Sequence, residues 1–364
     1  MGTIINNVQR PLPRQSEIVG EIRRRIISGE LAPGTQLPSL NVMSEQFEAS
    51  PVTVGRALKY LRQKGFVYSE ERRGTFVSDN PSCLCNIGLV LPFHPFKSNF
   101  IEAIRQEAKS ITGAVPHGGP RRRFVFFNEI LGPIEDVRRH HQELVAAVEA
   151  ETLAGVIFAR THRLLIDTVL KANPRLPSVM FHEAVVAGST NVRFHCNFIE
   201  KALDAVAASG RRRVAYITTM EERGKTQLVL DTARERGLVI HPWEVHGVRA
   251  ESPDWAHNLA QIIVHESRRD RPQALVVDDD NLVPFATAGI AELGVRVPGD
   301  LMVVAHTNFP YPTYSAVPAV RLGVDIRQLM NTVIDLLERK QRGEDVPDEI
   351  FLPSKTEAEF TANA

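Results

Sequence analysis

The stretch from Leu37 to Val77 constrains the fold of this chain more than any other part of the sequence. A short helix is predicted at 40–47, and Ser50 and Pro51 predict the start of a second helix. Serine favours the capping position of a first helical turn, and proline favours the first helical position because its missing N–H has no intrahelical partner there. The strand-like residues of 66–78 then predict a β-ribbon.

The second helix is expected to have two different faces. Apolar residues at helical spacing predict a buried stripe of Val54, Ala57, Leu58 and Leu61. The opposite face carries Val52, Thr53, Arg56 and Lys59. Methyl groups and a hydroxyl can meet thymine methyls and base edges, and arginine can reach guanine or phosphate. The same face could also be a solvated surface, so the helix alone does not decide.

The ribbon favours contact with DNA. Arg72 and Arg73 stand beside Gly74 at its tip, where they can approach the backbone in the minor groove. A helix, a turn, a second helix and a ribbon predict a winged helix-turn-helix, whose second helix enters the major groove. Upstream, another helix is predicted to be capped by Ser16 and to stop at Gly29.

Three motifs in this region resemble those of GntR-type bacterial transcription regulators. They are LxPGxxLPS at Leu31–Ser39, SxxTVxxAL at Ser50–Leu58 and GTFV at Gly74–Val77. The resemblance implies DNA contacts by Ser39, Ser50, Thr53, Gly74 and Thr75.

The chain departs from that family where the family commonly has arginine. Asn41, Pro51 and Gly55 occupy those three positions, and Arg56 is expected to replace an arginine at position 55. The predicted DNA-binding residues are Ser39, Asn41, Ser50, Val52, Thr53, Arg56, Arg72, Arg73, Gly74 and Thr75.

The predicted organisation is a DNA-binding domain at 1–78, a polar linker at 79–85 and a larger domain at 86–364. Residues 1–80 contain 11 Lys and Arg against 8 Asp and Glu, although the net charge of the chain is zero. This mild positive bias of the first domain fits contact with phosphate.

Composition places the protein among soluble chains. Hydrophobic residues make up 43% of its 364 residues and charged residues 24%. Neither a membrane span of about 18–20 apolar residues nor an N-terminal secretory signal is recognisable, so a cytoplasmic location is predicted. Cys83 and Cys85 are spaced for a metal, but no second Cys/His pair stands nearby. No metal or cofactor is predicted.

From Asn86 onward, continuously apolar segments alternate with helical patterns. The first set of predicted strands is 86–92, 124–130, 155–159 and 178–181. The second set is 214–218, 239–245, 274–277 and 302–305, of which 239–245 has the weakest strand pattern. Such alternation predicts parallel sheets covered on both faces, and two consecutive sets predict two Rossmann-like lobes. Ligands of open α/β sheets bind outside the carboxyl ends of the strands, so a cleft between the lobes is the expected site.

A second resemblance covers roughly 86–353. The segment GVRVPGDLMVV at Gly294–Val304 is similar to LacI-type regulators and ribose-binding-like proteins. The resemblance implies a fold of the periplasmic-binding-protein-like type I, in which two hinged lobes close on a small molecule, often a sugar.

The resemblance also suggests ligand-contacting residues. It places the family's ligand-binding aspartate on Asp280 and its Phe-Asp pair on His306-Thr307, while Arg223 is the nearest match to the family's arginine. Phe93 and Phe96 follow the first strand and suit stacking on a sugar, and His182 follows the fourth. The predicted ligand-binding residues are Phe93, Phe96, His182, Arg223, Asp280 and Thr307; a structural role remains open for each.

The sequence therefore predicts a DNA-binding transcription regulator that acts as a homodimer on a palindromic operator and responds to a small molecule, for which a sugar is the expected class. Two alternatives remain. The second domain could serve for dimerisation alone and bind no ligand, or it could be an enzyme joined to a DNA-binding head. No Walker loop, HExxH or GxSxG motif is present, and Asp278–Asp280 would need further oxygen ligands to bind a cation, so the chain is predicted not to be an enzyme.

Overall fold

The computed structural model describes residues 13–27, 30–78, 85–92, 98–113, 122–129, 141–159, 161–181, 186–219 and 224–362. The chain forms two compact units, each made of several segments. The first unit comprises Met1–Phe93, Ala108–Val192 and Val333–Ile350, and the second comprises His94–Glu107, Arg193–Thr332 and Phe351–Ala364.

The N-terminal part of the first unit is a winged helix-turn-helix. Its elements are α1 Pro13–Ile27, α2 Leu40–Gln46, α3 Pro51–Gln63, β1 Val67–Glu70 and β2 Gly74–Val77. The two strands pair antiparallel, and their apolar residues join those of the helices in one core.

The first helix begins earlier than predicted. Ser16 lies inside α1 and does not cap it, because the helix starts at Pro13, a residue that favours the first turn. Gly29, the predicted helix stop, lies outside the described residues.

The rest of the chain is α/β. In chain order its elements are β3 Asn86–Pro92, α4 Asn99–Gly113, β4 Arg123–Glu129, α5 Gln142–Glu149, β5 Gly155–Ala159, α6 Arg163–Ala172, β6 Ser178–Phe181, β7 Thr190–Cys196, α7 Phe198–Ala208, β8 Val214–Thr219, α8 Lys225–Glu235, β9 Val245–Val248, α9 Trp255–Val264, β10 Ala274–Val277, α10 Val283–Glu292, β11 Met302–Phe309, β12 Val320–Asp325, α11 Ile326–Gln341, β13 Glu349–Pro353, β14 Lys355–Thr356 and α12 Glu357–Thr361. No helix in the described ranges is both long and apolar enough to cross a membrane.

The α/β strands form two six-stranded sheets with matching topology. Their orders are β13-β7-β6-β5-β3-β4 and β14-β12-β11-β10-β8-β9. In each sheet the five strands that come first in the chain are parallel, and the first of them lies between the second and the third. The order therefore reverses between β8 and β10, which is where doubly wound sheets bind ligands. The predicted α/β class with two Rossmann-like lobes is confirmed.

Several strands differ from the sequence prediction, among them β7, β12 and the two-residue β14. β7 and β12 were not predicted, because each mixes charged and apolar residues and is only partly buried. The predicted strand at 239–245 is wrong: Val239 makes one isolated bridge to Arg213, and β9 begins only at Val245. Pro242 starts a 3₁₀ turn between them, since proline cannot donate to a strand ladder.

Candidate nucleic-acid interface and ligand site

The helices of the predicted DNA reader begin with serine caps. The Ser39 hydroxyl accepts a hydrogen bond from the Val42 amide at 3.5 Å. The Ser50 hydroxyl accepts one from the Thr53 amide at 3.2 Å, and the two hydroxyls lie 2.9 Å apart. Ser50 and Thr53 thus hold the first turn of α3 while remaining at its exposed end. The amides of such a turn attract phosphate oxygens.

The two predicted faces of α3 are observed. Val54, Ala57 and Leu61 are fully buried, whereas Val52 is 64% exposed. Arg56 is also exposed. An exposed valine side chain adds little to the stability of the fold, but its methyl groups can contact a thymine methyl in the major groove.

The wing is fixed by its backbone and by Gln36. The Gln36 amide nitrogen donates to the Arg73 carbonyl at 2.7 Å. Gly74 has φ +121°, and a Cβ there would lie 2.7 Å from that amide nitrogen, so the position requires glycine. Arg72, at φ +62°, is exposed at the tip. Its guanidinium is therefore accessible to DNA.

The neighbouring arginine of the wing is already paired. Arg73 forms an ion pair with Glu70, and its guanidinium lies 5.8 Å from the centre of the Phe76 ring. The Thr75 hydroxyl lies 3.0 Å from that of Ser69. Arg73 would have to exchange Glu70 for a phosphate in order to bind DNA, an exchange that Arg72 does not need.

In the second unit, Asp278 follows the carboxyl end of β10 at the point where the strand order reverses. Its Oδ2 accepts hydrogen bonds from the Tyr216 hydroxyl at 2.9 Å and the Thr218 hydroxyl at 3.1 Å. The Lys225 ammonium lies 2.7 Å from the same oxygen. Burial raises the pKa of Asp278, and Lys225 opposes that shift. The result is a buried ion pair that joins β8, α8 and β10.

Asp280, the predicted ligand-binding carboxylate, has partners within the protein. Its Oδ2 accepts a hydrogen bond from the Asn308 amide and one from the Thr313 hydroxyl at 3.4 Å. Burial and the charge of Asp279 raise the pKa of Asp280 to about 8. At neutral pH the carboxyl is therefore mostly protonated, and it can donate as well as accept hydrogen bonds.

Two neutral histidines lie in the same unit. The rings of His195 and His306 meet edge to face with centroids 4.5 Å apart, and His195 stacks on Phe198 at 4.5 Å. Burial and the charge of Lys225 lower the pKa of His306 to about 3. Burial, His306 and Lys225 place the pKa of His195 well below its usual value. Both rings are therefore uncharged at neutral pH.

This region contains buried polar atoms without a hydrogen-bond partner among the described residues. They are His195 Nδ1, Asp278 Oδ1, both ring nitrogens of His306, Thr307 Oγ1 and Asn308 Oδ1. Each such atom costs roughly 1–3 kcal/mol when left unpaired. Hydrogen-bonding groups from a ligand or from water would therefore be stabilising at these atoms, although Thr307 lies on the opposite face of β11 from His306. We call these five residues the polar cluster.

The predicted ligand residues are only partly described. Thr307 belongs to the polar cluster, and Asp280 bonds to one of its members. Phe93, Phe96, His182 and Arg223 lie outside the described residues. Sequence reasoning missed Lys225 and His195 as neighbours of the site. The apolar run that ends at Asp278 was a usable signal for that residue, but no local pattern marks the other two.

Comparisons with known proteins agree with both parts of this architecture. The gntR family of bacterial regulatory proteins matches residues 14–77, and the periplasmic binding protein-like domain matches 203–356. The arabinose metabolism transcriptional repressor of Geobacillus stearothermophilus is 23% identical over 352 residues, which cover 90% of this chain and 93% of that protein.

Two further relatives match one part each. The HTH-type transcriptional repressor NagR of Bacillus subtilis (strain 168) is 42% identical over 72 residues, covering 20% of this chain and 30% of NagR. A regulatory protein of the LacI family from Chloroflexus aggregans superimposes with a TM-score of 0.56 at 18% identity, covering 76% of this chain and 96% of that one. This chain therefore joins a winged helix-turn-helix of the gntR family to a periplasmic binding protein-like domain with the fold of LacI-family regulators.

Proposed function

We propose that this protein is a sequence-specific DNA-binding transcription regulator whose binding is controlled by a small molecule. The observation that carries the proposal is the exposed N-terminal half of α3, with Val52 and Arg56 in solvent beside the Ser50 cap. The name of the Geobacillus relative, which is similar along nearly its whole length, supports repression as the mode of action.

The DNA contacts are assigned by their chemistry. Val52 and Arg56 read base edges, Ser39, Asn41, Ser50 and Thr53 bind phosphate or base edges from the helix starts, and Arg72 leads the wing residues Arg73, Gly74 and Thr75. One such module reads only a few base pairs. The protein is therefore proposed to bind a palindromic operator as a homodimer, which doubles the contacts and fixes the spacing of the half-sites.

The proposed effector is an uncharged polyhydroxylated molecule, and a sugar fits best. Lys225 and Asp278 neutralise each other, and His195 and His306 are uncharged, so the polar cluster offers hydrogen bonds without net charge. Sugar hydroxyls both donate and accept, as the orphaned atoms of the cluster require. Arabinose is the first candidate because the Geobacillus relative is named for its metabolism. Such a ligand controls DNA binding only if it prefers one conformation of the protein.

The DNA-binding assignment is tested with Arg56→Ala and the DNA upstream of the protein's own coding sequence. Loss of the guanidinium is expected to weaken binding by about 1–3 kcal/mol, the value of a specific base contact. Lys171→Ala, which removes an exposed charge from α6, is the control. Equal gel-shift affinity of the Arg56→Ala and wild-type proteins would exclude α3 as the reader.

The effector assignment is tested by thermal shift with L-arabinose and a panel of pentoses and hexoses. A ligand at 100 times its Kd should stabilise the folded state by about 2.7 kcal/mol. His306→Phe, which keeps an aromatic ring but removes both nitrogens, should abolish the shift. A ligand that shifts both proteins equally would bind somewhere other than the polar cluster.

A further inference from the structure

Helix α5 of the first α/β lobe ends with a glutamate in the left-handed conformation. The Thr152 amide donates to the Ala147 carbonyl at 3.0 Å and the Glu151 amide to the Val148 carbonyl at 3.1 Å. This is the Schellman pattern of helix ends, in which the residue in the left-handed conformation is usually glycine or asparagine. Here that residue is Glu151, with φ +52°.

The Glu151 side chain is held by the DNA-binding domain. Its Oε2 accepts a hydrogen bond from the Tyr60 hydroxyl at 3.1 Å and lies 3.2 Å from Nη1 of Arg23. Tyr60 belongs to α3 and is buried, while Arg23 belongs to α1, where its guanidinium lies 5.0 Å from the centre of the Phe66 ring. One carboxylate oxygen therefore contacts two helices of the winged domain.

Ala150, which precedes Glu151, adds a third contact to the winged domain. Lys64 caps the C-terminus of α3, and its ammonium donates to the carbonyl of Ala150, the residue that caps α5. Carbonyls at a helix C-terminus have no intrahelical partners, and the helix dipole favours a cation there. All of these residues lie in the first unit.

We propose that Ala150 and Glu151 form an intramolecular docking site for the DNA-binding domain, which fixes the direction of α3 relative to the first lobe. The docked residues Tyr60 and Lys64 lie toward the C-terminal end of α3, and Ser50, Val52 and Arg56 at its other end stay exposed. Docking is therefore compatible with reading DNA. It preorganises the reader, and preorganisation raises affinity by lowering the entropy lost on binding. The docking itself does not depend on the proposed DNA-binding function; only its effect on DNA affinity does.

Glu151→Gly separates docking from stability. Glycine suits the left-handed backbone, so the thermal stability of the variant should equal or exceed that of the wild type. The variant loses all side-chain contacts to Arg23 and Tyr60, and it should bind operator about two- to fivefold more weakly, a range set by one partly exposed charged contact. Tyr60→Phe should weaken binding less, and combining the two changes should add nothing beyond Glu151→Gly.

Docking itself is measured without DNA. Spin labels at Glu45→Cys and Lys171→Cys, two exposed positions on the winged domain and the lobe, report their separation after replacement of Cys83 and Cys196 by serine and dilution with unlabelled protein. We expect one narrow distance distribution in the wild type and a broad one in Glu151→Gly. Glu143→Gln removes an exposed carboxylate from the same helix and should leave the distribution narrow.

The outcomes distinguish the two proposals. A narrow, unchanged distribution in Glu151→Gly would overturn the docking site, whatever the DNA affinities are. A broadened distribution in a protein whose wild type binds no operator would support docking and count against the proposed DNA-binding function instead.

Discussion

Replacing Thr307 by valine is expected to stabilise the protein when no small molecule is bound. Thr307 lies on β11, is fully buried, and its Oγ1 has no hydrogen-bond partner among the described residues. Valine has nearly the same shape and suits a strand. The change therefore removes a buried hydroxyl that costs roughly 1–3 kcal/mol when unpaired.

A matched control lies in the same unit. Thr287 is equally buried, but its Oγ1 donates to the Val283 carbonyl at 2.7 Å and accepts from the Ala316 amide at 3.0 Å. Thr287→Val should therefore destabilise the protein, because it leaves the Ala316 amide without its partner. Opposite signs from the same chemical change would isolate the effect of hydrogen bonding.

Thermal and urea unfolding measure both variants. A gain of 1 kcal/mol corresponds to about 2–4 °C in a domain of 150–250 residues. If Thr307→Val were as destabilising as Thr287→Val, the Thr307 hydroxyl would have a hydrogen-bond partner in solution, such as an ordered water, which would refute the reasoning.

Two further predictions concern stability. Because the pKa of Asp280 is raised to about 8 from a usual value of 3.8, the stability that its protonated form contributes is complete below about pH 4 and is lost as the pH rises towards 8. His306, whose pKa is lowered to about 3 from 6.5, makes the unfolding free energy rise with pH below pH 6.5, which opposes the effect of Asp280 there. Between about pH 6.5 and 8 only the fall due to Asp280 is expected, and Asp280→Asn should flatten it. An unchanged slope of the unfolding free energy against pH in denaturant titrations would contradict the assigned protonation. Gly289→Ala should lower the unfolding free energy by about 1–3 kcal/mol, because a Cβ there would lie 2.3 Å from the His257 carbonyl oxygen. Gly55→Ala, whose Cβ would meet nothing closer than 3.8 Å, is the control. Equal melting temperatures of the two variants would mean that α9 and α10 can move apart at little cost.

The sequence predicted the parts of the fold that depend on local pattern. The cap at Ser50, the buried stripe of α3 and the apolar strands follow from patterns of neighbouring residues, and the structure contains them. Strand β7 was missed because arginine and histidine interrupt its apolar residues, although three of its positions are buried. It carries His195, so the same omission hid a member of the polar cluster.

The candidate ligand site was less predictable because its chemistry depends on distant contacts. Asp278 is 53 residues from Lys225 and 62 from Tyr216 along the chain, and nothing local joins them. The resemblance predicted Asp280 as a ligand-binding carboxylate. Burial raises the pKa of this group, and the Asn308 amide already donates a hydrogen bond to one of its oxygens. Burial and protonation follow from tertiary packing, which residue spacing does not encode.

The start of α3 divides its exposed residues into two groups with different freedom to change. Ser50 and Thr53 bond to each other and cap the helix, so any substitution there alters the domain itself as well as its contacts. Val52 and Arg56 have exposed side chains, and their replacement leaves the core untouched. Variants of this protein with a new operator preference should therefore be obtainable at positions 52 and 56, while randomising 50 and 53 would yield mainly unstable domains.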